Sequence, residues 1–336
     1  MKKYVYLFDE GNKDLRNLLG GKGANLAEMT NMGLPVPYGL TVTTEACNLY
    51  FSDGELLNED VQKQILKGIK RIEEKTGKKL GDENNPLLLS VRSGSPISMP
   101  GMMDTILNLG LNDKIASALA KDEDSKRFIY DSYRRLIMMF ADVVKGKGKD
   151  KFEEYLTKYK EEKRVKNDLD LTANDMVLLT ETFKALYKKL VKEEFPQEPL
   201  LQLMQAVTAV FRSWHNKRAE VYRQMNNIPD TLGTAVNVQE MVYGNLSETS
   251  LTGVAFSRNP ANGEDKLYGE YLVKAQGEDI VAGVRTPLSI DILEKENLKI
   301  YNELKGYSKL LEKHYKDMQD MEFTVENGKL YMLQTR

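Results

Sequence analysis

The sequence predicts an α+β protein with two mixed lobes and a helical insertion. Three observations lead to this fold class. At 336 residues the chain is longer than one simple core usually supports, which suggests two or three lobes. Residues 1–111 mix strand and helix patterns, and residues 112–197 have helical periodicity. Strand patterns dominate from residue 233 onward.

Composition narrows the class of protein. The chain is 41% hydrophobic and 29% charged, which is ordinary for a globular protein. A net charge of -2 gives no reason to expect nucleic acid as a partner, and no apolar run approaches the roughly 18 residues of a membrane span. The single cysteine, Cys47, excludes an internal disulfide and suits a reducing compartment. We therefore expect a cytoplasmic protein that contacts neither nucleic acid nor membrane.

The N-terminal elements follow from hydrophobic period and turn residues. We predict strands at "YVYLF" and "GLTVTT", a helix at "KGANLAEMTNMG" that Gly33 closes, a second helix near Glu45, a charged amphipathic helix over residues 58–76, and two further strands at residues 87–91 and Thr105 to Leu109.

The middle of the chain is predicted to be helical. Three stretches within residues 112–197 have helical periodicity, and the dense Lys and Glu residues of this region are typical of a solvated face. The segment "FPQEP" ends this region because proline and its preceding residue leave helical geometry. One long helix is predicted from Leu200 to Met225. Strands follow at "GTAVNVQEMVYG", "TGVAFSRNP" and "LYGEYLVKA", with a final hairpin around Asn327-Gly328.

The segment "LLGGKGANLAEM" places glycines and Lys22 before a helix. Helix-start N–H groups and an ammonium both favour an anion, so the segment suggests phosphate binding. It is not a Walker A motif, since Arg16 replaces the first glycine and Gly23 follows the lysine. A turn with a surface lysine is the alternative.

Arg92 ends a buried-looking strand and precedes a loop of Gly, Ser, Pro and Met. A guanidinium there must pair or face a cleft, because an unpaired buried charge is costly. The two interpretations are a structural ion pair and a fork that binds phosphate.

Two strands are predicted at the C-terminus. Asp320 and Glu322 share a face of the first strand, and Gln334 and Arg336 share a face of the second. A two-residue Asn327-Gly328 turn pairs Val325 with Leu330 and places Gln334 opposite Met321, away from the acids. A three-residue turn from Glu326 to Gly328 pairs Asp320 with Gln334, and all four polar groups then meet. Such a group suits a magnesium–triphosphate site, and an amphipathic sheet edge is the alternative.

Other polar residues carry weaker signals. Thr252-Gly253 follows a hydroxyl-rich loop and is predicted either to lie over phosphates or to form a surface turn. His215 and His314 lie on predicted helices without partners at metal-ligand spacing, so we interpret both as structural or exposed. The sequence contains no nucleophile–base arrangement and no CxxC pair.

Several motifs together resemble the nucleotide-binding domain of the pyruvate, phosphate dikinase family of phosphoenolpyruvate-utilising enzymes. The resemblance covers essentially the whole chain and is carried by "LLGGKGANLAEM", "SVRSG…SMPGMMDTILNLGLND", "YDSYRR", "VFRSW…RAEVYR", "GVAFSRNP", "GEYLVKAQGEDIVAGVRTP" and "DMQDMEFTVENGKLYMLQTR".

The resemblance implies an ATP-grasp-type domain. Residues 1–111 with 198–240 form the first lobe, residues 112–197 the helical insertion and residues 241–336 the second lobe, and the lobes clamp ATP. The family interconverts ATP, phosphate and pyruvate with AMP, pyrophosphate and phosphoenolpyruvate. Its ATP domain phosphorylates a histidine on a separate domain that then visits a pyruvate-binding barrel. Neither domain is recognisable in this chain, which we expect to be monomeric.

The resemblance also implies roles for individual residues. Lys22, Arg92 and Arg336 are expected to act on the phosphates, and Asp320, Glu322 and Gln334 are expected to hold Mg²⁺. Backbone contacts to adenine are expected from Gln239, Glu240, Met241 and Val242, with Glu278 nearby. Further nucleotide contacts are expected from Gly101 in the flexible loop after Arg92 and from Thr252 and Gly253.

The chain departs from the family pattern in two loops. Pro96 stiffens the loop after Arg92, while Ser247 and Leu251 replace glycines in the hydroxyl-rich loop. A leucine disfavours positive φ and therefore close backbone approach to phosphate. These departures leave two alternatives: a nucleotide-binding or scaffold module without phosphoryl transfer, and the same domain in a related dikinase with another acceptor.

Overall fold

A computed structural model describes residues 2–102, 104–281, 283 and 285–336. The chain divides into two compact units. Unit 1 consists of the N-terminal segment to Leu7, Leu15–Gly23 and Tyr38–Met241. Unit 2 consists of Phe8–Asp14, Ala24–Pro37 and Val242–Arg336. The helical residues 112–197 belong to unit 1 by compactness, and their description as a separate insertion remains a prediction.

Unit 1 is built on a five-stranded antiparallel sheet with the order β1-β2-β5-β3-β4. Its strands are β1 (Val5–Leu7), β2 (Gly39–Val42), β3 (Leu89–Gly94), β4 (Thr105–Leu109) and β5 (Ala235–Glu240). Its helices are α2 (Thr44–Ser52), α3 (Glu59–Thr76), α4 (Asp113–Leu119), α5 (Glu123–Met139), α6 (Asp150–Lys163), α7 (Ala173–Val191), α8 (Pro199–Ser213) and α9 (Lys217–Met225). Helix α1 (Arg16–Asn31) contributes residues to both units.

Alternation along the strands gives the first sheet one apolar and one polar face. Leu40, Val91 and Val238 are fully buried, and α3 packs against β2 while α8 packs against β3. Gly68 of α3 permits this packing, since a Cβ at that position would lie 2.6 Å from the Leu40 side chain. The opposite face carries polar side chains and holds the candidate site of unit 1.

The helix ends agree with their sequence signals. The Asp122 side chain accepts from the Ser125 N–H at the start of α5, and Thr172 caps α7 in the same way. Gly77 takes the left-handed conformation that ends α3. Each of the two side-chain caps stabilises its helix by about 1 kcal/mol.

The prediction of one long helix from Leu200 to Met225 was wrong. Helix α8 ends at Ser213, and the N–H groups of Trp214, His215 and Asn216 turn back to carbonyls three residues earlier. Asn216 then takes an extended conformation and begins α9. The Trp214 ring, which is 1% exposed, packs in an apolar cluster with Met99 at this break.

Unit 2 is built on a second five-stranded antiparallel sheet with the order β10-β9-β6-β7-β8. Its strands are β6 (Leu251–Phe256), β7 (Tyr268–Val273), β8 (Leu288–Ser289), β9 (Asp320–Glu326) and β10 (Lys329–Thr335). Its helices are α10 (Gly277–Val281), α11 (Ile290–Glu296) and α12 (Leu298–Tyr315).

One face of the second sheet packs against helices. Met321, Phe323 and Met332 share a buried cluster with Leu304 and Leu311 of α12. The predicted α+β fold class is therefore confirmed, with an antiparallel sheet in each unit. Among the described helices, none is long and apolar enough to cross a membrane.

Candidate functional site

Lys22 lies just after a kink in α1. Gly20 has φ of 70° and ψ of 167°, which interrupts the helix two residues before the lysine. A Cβ on Gly20 would lie 1.7 Å from the carbonyl oxygen of Gly94, so only glycine fits at this contact. The N–H of Gly21 donates to the Ser95 carbonyl (2.9 Å). The turn that carries Lys22 is thus fixed against the end of β3.

Arg92 lies on the polar face of the first sheet. Its strand partners are Asn237 of β5 and Thr105 of β4, and Asn237 in turn pairs with Thr41 of β2. Directly paired residues share a face, so these four side chains form a polar row across the sheet. Lys22 meets the same face, because its Cβ would lie 3.5 Å from a Cβ on Gly94. The structure therefore brings Lys22 and Arg92 to one surface of unit 1.

The loop after Arg92 is tied to its surroundings. Arg16 Nε donates to the Pro96 carbonyl (2.8 Å), and Met99 is buried in the cluster around Trp214. The predicted flexible loop therefore has ordered attachments near its start and in its middle. Gly101, which follows, has φ of 70°, a conformation that favours glycine.

The end of this loop is anchored by Arg218. Its Nε donates to the Met102 carbonyl (3.1 Å) and its guanidinium pairs with the Asp104 carboxylate at 2.5 Å. Asn216 donates to the same carboxylate (3.2 Å). Burial raises the pKa of Asp104, although the Arg218 charge opposes the shift. These contacts therefore fix the backbone that leads into β4.

The predicted adenine segment begins at the end of β5. The N–H of Glu240 donates to the Tyr38 carbonyl (2.8 Å), and the N–H of Met241 donates to the Leu88 carbonyl (2.9 Å). Lys78 Nζ lies 2.7 Å from the Glu240 carboxylate and forms an ion pair with it. These two N–H groups are engaged in backbone hydrogen bonds within unit 1.

Two further members of that segment differ in position. Gln239 is buried on the same face as Arg92, opposite Gly39 and Ser90. Val242 lies outside the strands and is the first residue of the last segment of unit 2.

The hairpin of β9 and β10 has a register that neither alternative anticipated. Asn327 and Gly328 form a two-residue turn with positive φ at both positions, and Val325 pairs with Leu330. A register shift between Met332 and Gln334 then moves the pairing by one residue. The turn follows the two-residue alternative, while the bulge brings the polar residues together.

As a result Asp320, Glu322, Gln334 and Arg336 share one face of the second sheet. Gln334 pairs with Glu322, and Asp320 and Arg336 exchange backbone hydrogen bonds of 2.8 Å each. The Arg336 guanidinium also lies 3.1 Å from the Asp320 carboxylate. Gln334 is 6% exposed and both acids are half-buried. The arrangement gives two carboxylates, one amide and one guanidinium on adjacent strands.

Thr252 and Gly253 lie inside β6, so the surface-turn alternative was wrong. Thr252 Oγ1 lies 3.0 Å from Thr324 Oγ1 on the polar face. A Cβ on Gly253 would lie 2.4 Å from the Phe323 ring, so this glycine makes room for a core side chain. Leu251 is also a buried strand residue, and it packs in the apolar core of unit 2.

The hydroxyl-rich loop before β6 is held by its own side chains. Ser247 Oγ lies 2.9 Å from Ser250 Oγ and 3.1 Å from Thr249 Oγ1. Ser250 Oγ also accepts from the Asn327 N–H (3.1 Å). A glycine at position 247 lacks these bonds, so Ser247 orders the loop.

The oxygen atoms of this face fit magnesium chemistry. Within the described ranges, no group of three or more His, Cys, Asp or Glu side chains is close enough to hold a metal ion by itself. Mg²⁺ commonly uses one or two carboxylates and completes its shell with water and phosphate oxygens. Asp320 and Glu322, with the Gln334 amide, match that donor set. Glu278 is half-buried in the first turn of α10.

Each of the two histidines contacts another side chain of its own unit. His314 Nε2 is 2.6 Å from Glu28 Oε1, and His215 packs its ring edge-on against Phe51. Neither Asn237 nor Thr41, which complete the polar row beside Arg92, was predicted from the sequence. A signal was present, since Asn237 and Gln239 alternate with valines in "AVNVQE".

Comparisons with known proteins agree on one family. The sequence profile described as "Pyruvate phosphate dikinase, AMP/ATP-binding domain" matches residues 16–65, 54–303 and 292–336. The chain is similar to "Pyruvate, phosphate dikinase" of Clostridium symbiosum, with 59% identity over 337 residues that cover 100% of this chain and 39% of that protein.

Two further relatives are more distant. "Pyruvate, phosphate dikinase 1, chloroplastic" of Arabidopsis thaliana is 53% identical over 100% of this chain and 35% of its own length. "Pyruvate, phosphate dikinase" of Rhizobium meliloti (strain 1021) is 51% identical over 100% of this chain and 39% of its own length. The chain therefore spans little more than a third of the curated relatives that it matches.

Proposed function

Because the chain belongs to the pyruvate phosphate dikinase AMP/ATP-binding domain family, we propose that it binds Mg-ATP and phosphorylates a histidine on a separate domain. The observation that carries the proposal is the pairing of Gln334 with Glu322 beside Asp320 and Arg336. It places hard oxygen donors and a positive charge on one face. In the complete reaction, ATP, phosphate and pyruvate give AMP, pyrophosphate and phosphoenolpyruvate.

The phosphate-binding residues of unit 1 are Lys22 and Arg92. Their ammonium and guanidinium neutralise negative charge on the triphosphate, and arginine also binds two oxygens at once through its planar donors. The kink at Gly20 and the register of β3 fix both residues before ATP arrives. Such preorganisation is what phosphoryl transfer requires, since positioning and charge neutralisation supply most of its catalysis.

The magnesium-binding residues of unit 2 are Glu322, Asp320 and Gln334. The ion supplies charge neutralisation on the phosphate oxygens when bound. Asp320 also holds the Arg336 guanidinium, which orients this arginine toward the polar face. Gln239 to Val242 provide the backbone atoms for the adenine base, and further nucleotide contacts come from Gly101 in unit 1 and from Thr252, Gly253 and Glu278 in unit 2.

The nucleophile lies on another domain. An imidazole nitrogen of the acceptor histidine attacks a phosphorus atom of ATP, so that a nitrogen–phosphorus bond forms while a phosphoanhydride bond breaks, and in the complete reaction the nucleotide leaves as AMP. The complete enzyme therefore needs a phosphohistidine domain and a pyruvate-binding barrel as partners. That the relatives extend well beyond the region matched here supports these partners.

Transfer in trans tests the proposal. The chain is mixed with labelled ATP, Mg²⁺ and the remainder of the Clostridium symbiosum relative without its own ATP domain. We expect labelled histidine and free nucleotide product only when both proteins are present, and no label with the Arg92→Ala variant. A wild-type chain that binds ATP but labels nothing supports the binding or scaffold alternative.

A further inference from the structure

Asn237 lies at the point where the Lys22 turn meets the Arg92 strand. It is the direct partner of Arg92 between β5 and β3. A Cβ on Gly23, the neighbour of Lys22, would lie 2.8 Å from Asn237 Oδ1. A Cβ on Gly94 would lie 2.6 Å from Asn237 Nδ2. The amide therefore fills the narrow space between two glycine backbones.

The orientation of this amide is set by Thr41. Thr41 Oγ1 donates to Asn237 Oδ1 (2.8 Å), and both residues are 1% exposed. Directing the oxygen toward Thr41 turns Nδ2 toward Gly94. Among the described residues, Nδ2 has no hydrogen-bond partner. A buried unpaired donor is destabilising, so packing alone does not favour an amide at this position.

We propose that Asn237 is a positioning residue of the phosphate site, whose amide, oriented by Thr41, fixes the separation between the Lys22 turn and Arg92. The inference rests on the proposed function, because it assumes that Lys22 and Arg92 bind phosphates. Its role is indirect: the side chain supports Gly23 and Gly94, and these glycines place the two cations. The same packing explains why neither glycine tolerates a side chain.

Two variants of Thr41 test the proposal, one isosteric and one that keeps the hydroxyl. Thr41→Val removes the hydroxyl that orients the amide, and Thr41→Ser retains it. Thr180→Val is the matched control, since Thr180 is another buried threonine of unit 1 whose hydroxyl bonds to backbone carbonyls. Binding of Mg-ATP and of AMP is measured by calorimetry for each variant.

The expected result is specific to phosphates. Thr41→Val and Asn237→Ala weaken Mg-ATP about tenfold, as loss of one charge-assisted contact does, and weaken AMP much less. Thr41→Ser and Thr180→Val bind both nucleotides as the wild type does. Equal loss for ATP and AMP indicates general damage and overturns the proposal, as does unchanged ATP affinity in folded Asn237→Ala.

A double-mutant cycle identifies the residue through which Asn237 acts. In a Lys22→Ala or an Arg92→Ala background, Asn237→Ala is expected to weaken Mg-ATP binding less than it does in the wild type, whereas independent residues give additive effects. Additive effects in both backgrounds contradict the positioning role.

Hydrogen exchange separates this inference from the proposed function. In the ligand-free protein, amides of residues 21–24 are expected to exchange faster in Thr41→Val than in wild type or Thr180→Val. A wild type that does not bind Mg-ATP refutes the proposed function, and unchanged exchange at residues 21–24 separately refutes the positioning of the Lys22 turn.

Discussion

Gln334 lies directly opposite Glu322 because a β-bulge inserts one residue into β10. The inserted residue is Leu333, between Met332 on the core face and Gln334 on the polar face. Without it, a two-residue turn fixes Gln334 opposite Met321. Bulges of this kind often redirect a side chain next to a functional site. The relationship makes the polar face of unit 2 the centre of the proposed magnesium site.

Glu322→Gln tests that site with an isosteric change. The amide lacks the negative charge that Mg²⁺ prefers, so Mg-ATP affinity is expected to fall by about tenfold or more. In excess EDTA the wild type and the variant are expected to bind ATP equally, as measured by calorimetry. Glu270→Gln is the control, since Glu270 is an exposed acid two strands away on the same sheet. A loss that persists in EDTA contradicts the metal role.

Gly20→Ala tests the kink before Lys22. The new methyl group meets the Gly94 carbonyl at 1.7 Å and demands positive φ, so the free energy of unfolding is expected to fall by more than about 2 kcal/mol. Gly306→Ala is the matched control, because a Cβ in that exposed helical position meets nothing within 4 Å. That change is expected to stabilise the protein by roughly 0.5–1 kcal/mol. Urea unfolding of both variants provides the comparison.

Asp168 is predicted to make stability depend on acid pH. Burial opposes its ionisation, but Arg134 and Lys160 outweigh burial and lower its pKa to about 2 from 3.8. A lowered folded-state pKa contributes stability above pH 3.8 that is lost as pH falls toward about 2. Asp168→Asn is expected to lower the free energy of unfolding by about 2 kcal/mol at pH 7.

The difference between wild type and Asp168→Asn is expected to shrink as pH falls through that window. Denaturant unfolding from pH 7 to pH 2 measures it. Glu162→Gln, an exposed change on the neighbouring helix α6, is expected to show no such difference. A constant gap between wild type and Asp168→Asn at all pH values contradicts the assignment.

Cys47 is predicted to be unreactive in the folded protein. Burial raises the pKa of its thiol to about 12, although a hydrogen bond with the Thr234 backbone opposes the shift. The reactive thiolate is therefore scarce at pH 8. Labelling with iodoacetamide is expected to follow the rate of unfolding and to become fast in denaturant. Rapid labelling under native conditions contradicts this prediction.

The sequence identified the polar residues of the C-terminal strands, but it did not predict the register that pairs them. Alternation identified Asp320, Glu322, Gln334 and Arg336, and the Asn327-Gly328 pair identified the turn, because both depend on neighbours in the chain. The bulge was not predictable in this way, since the turn and the alternation alone set a register in which Gln334 pairs with Met321, and the observed shift comes only after Met332. The hairpin of the first sheet shows the same limit: Thr105 to Leu109 was predicted, but its partner register was not.

Long-range contacts explain the remaining differences. The break between α8 and α9 depends on the packing of Trp214 beside Met99, more than a hundred residues earlier in the chain. The attachments of the loop after Arg92 likewise depend on Arg16 and Arg218, which no local pattern relates to it. Asn237 was not identified from the sequence, because its proposed role depends on contacts with Gly23 and Gly94, which lie on other elements.

Calorimetric titration with Mg-ATP, for the wild type and for Arg92→Ala and Arg336→Ala, tests the central claim most directly. The account predicts that the wild type binds and that each variant loses most of its affinity while its circular dichroism remains unchanged. A folded wild type that does not bind Mg-ATP, or variants that bind it as tightly as the wild type, would contradict the account.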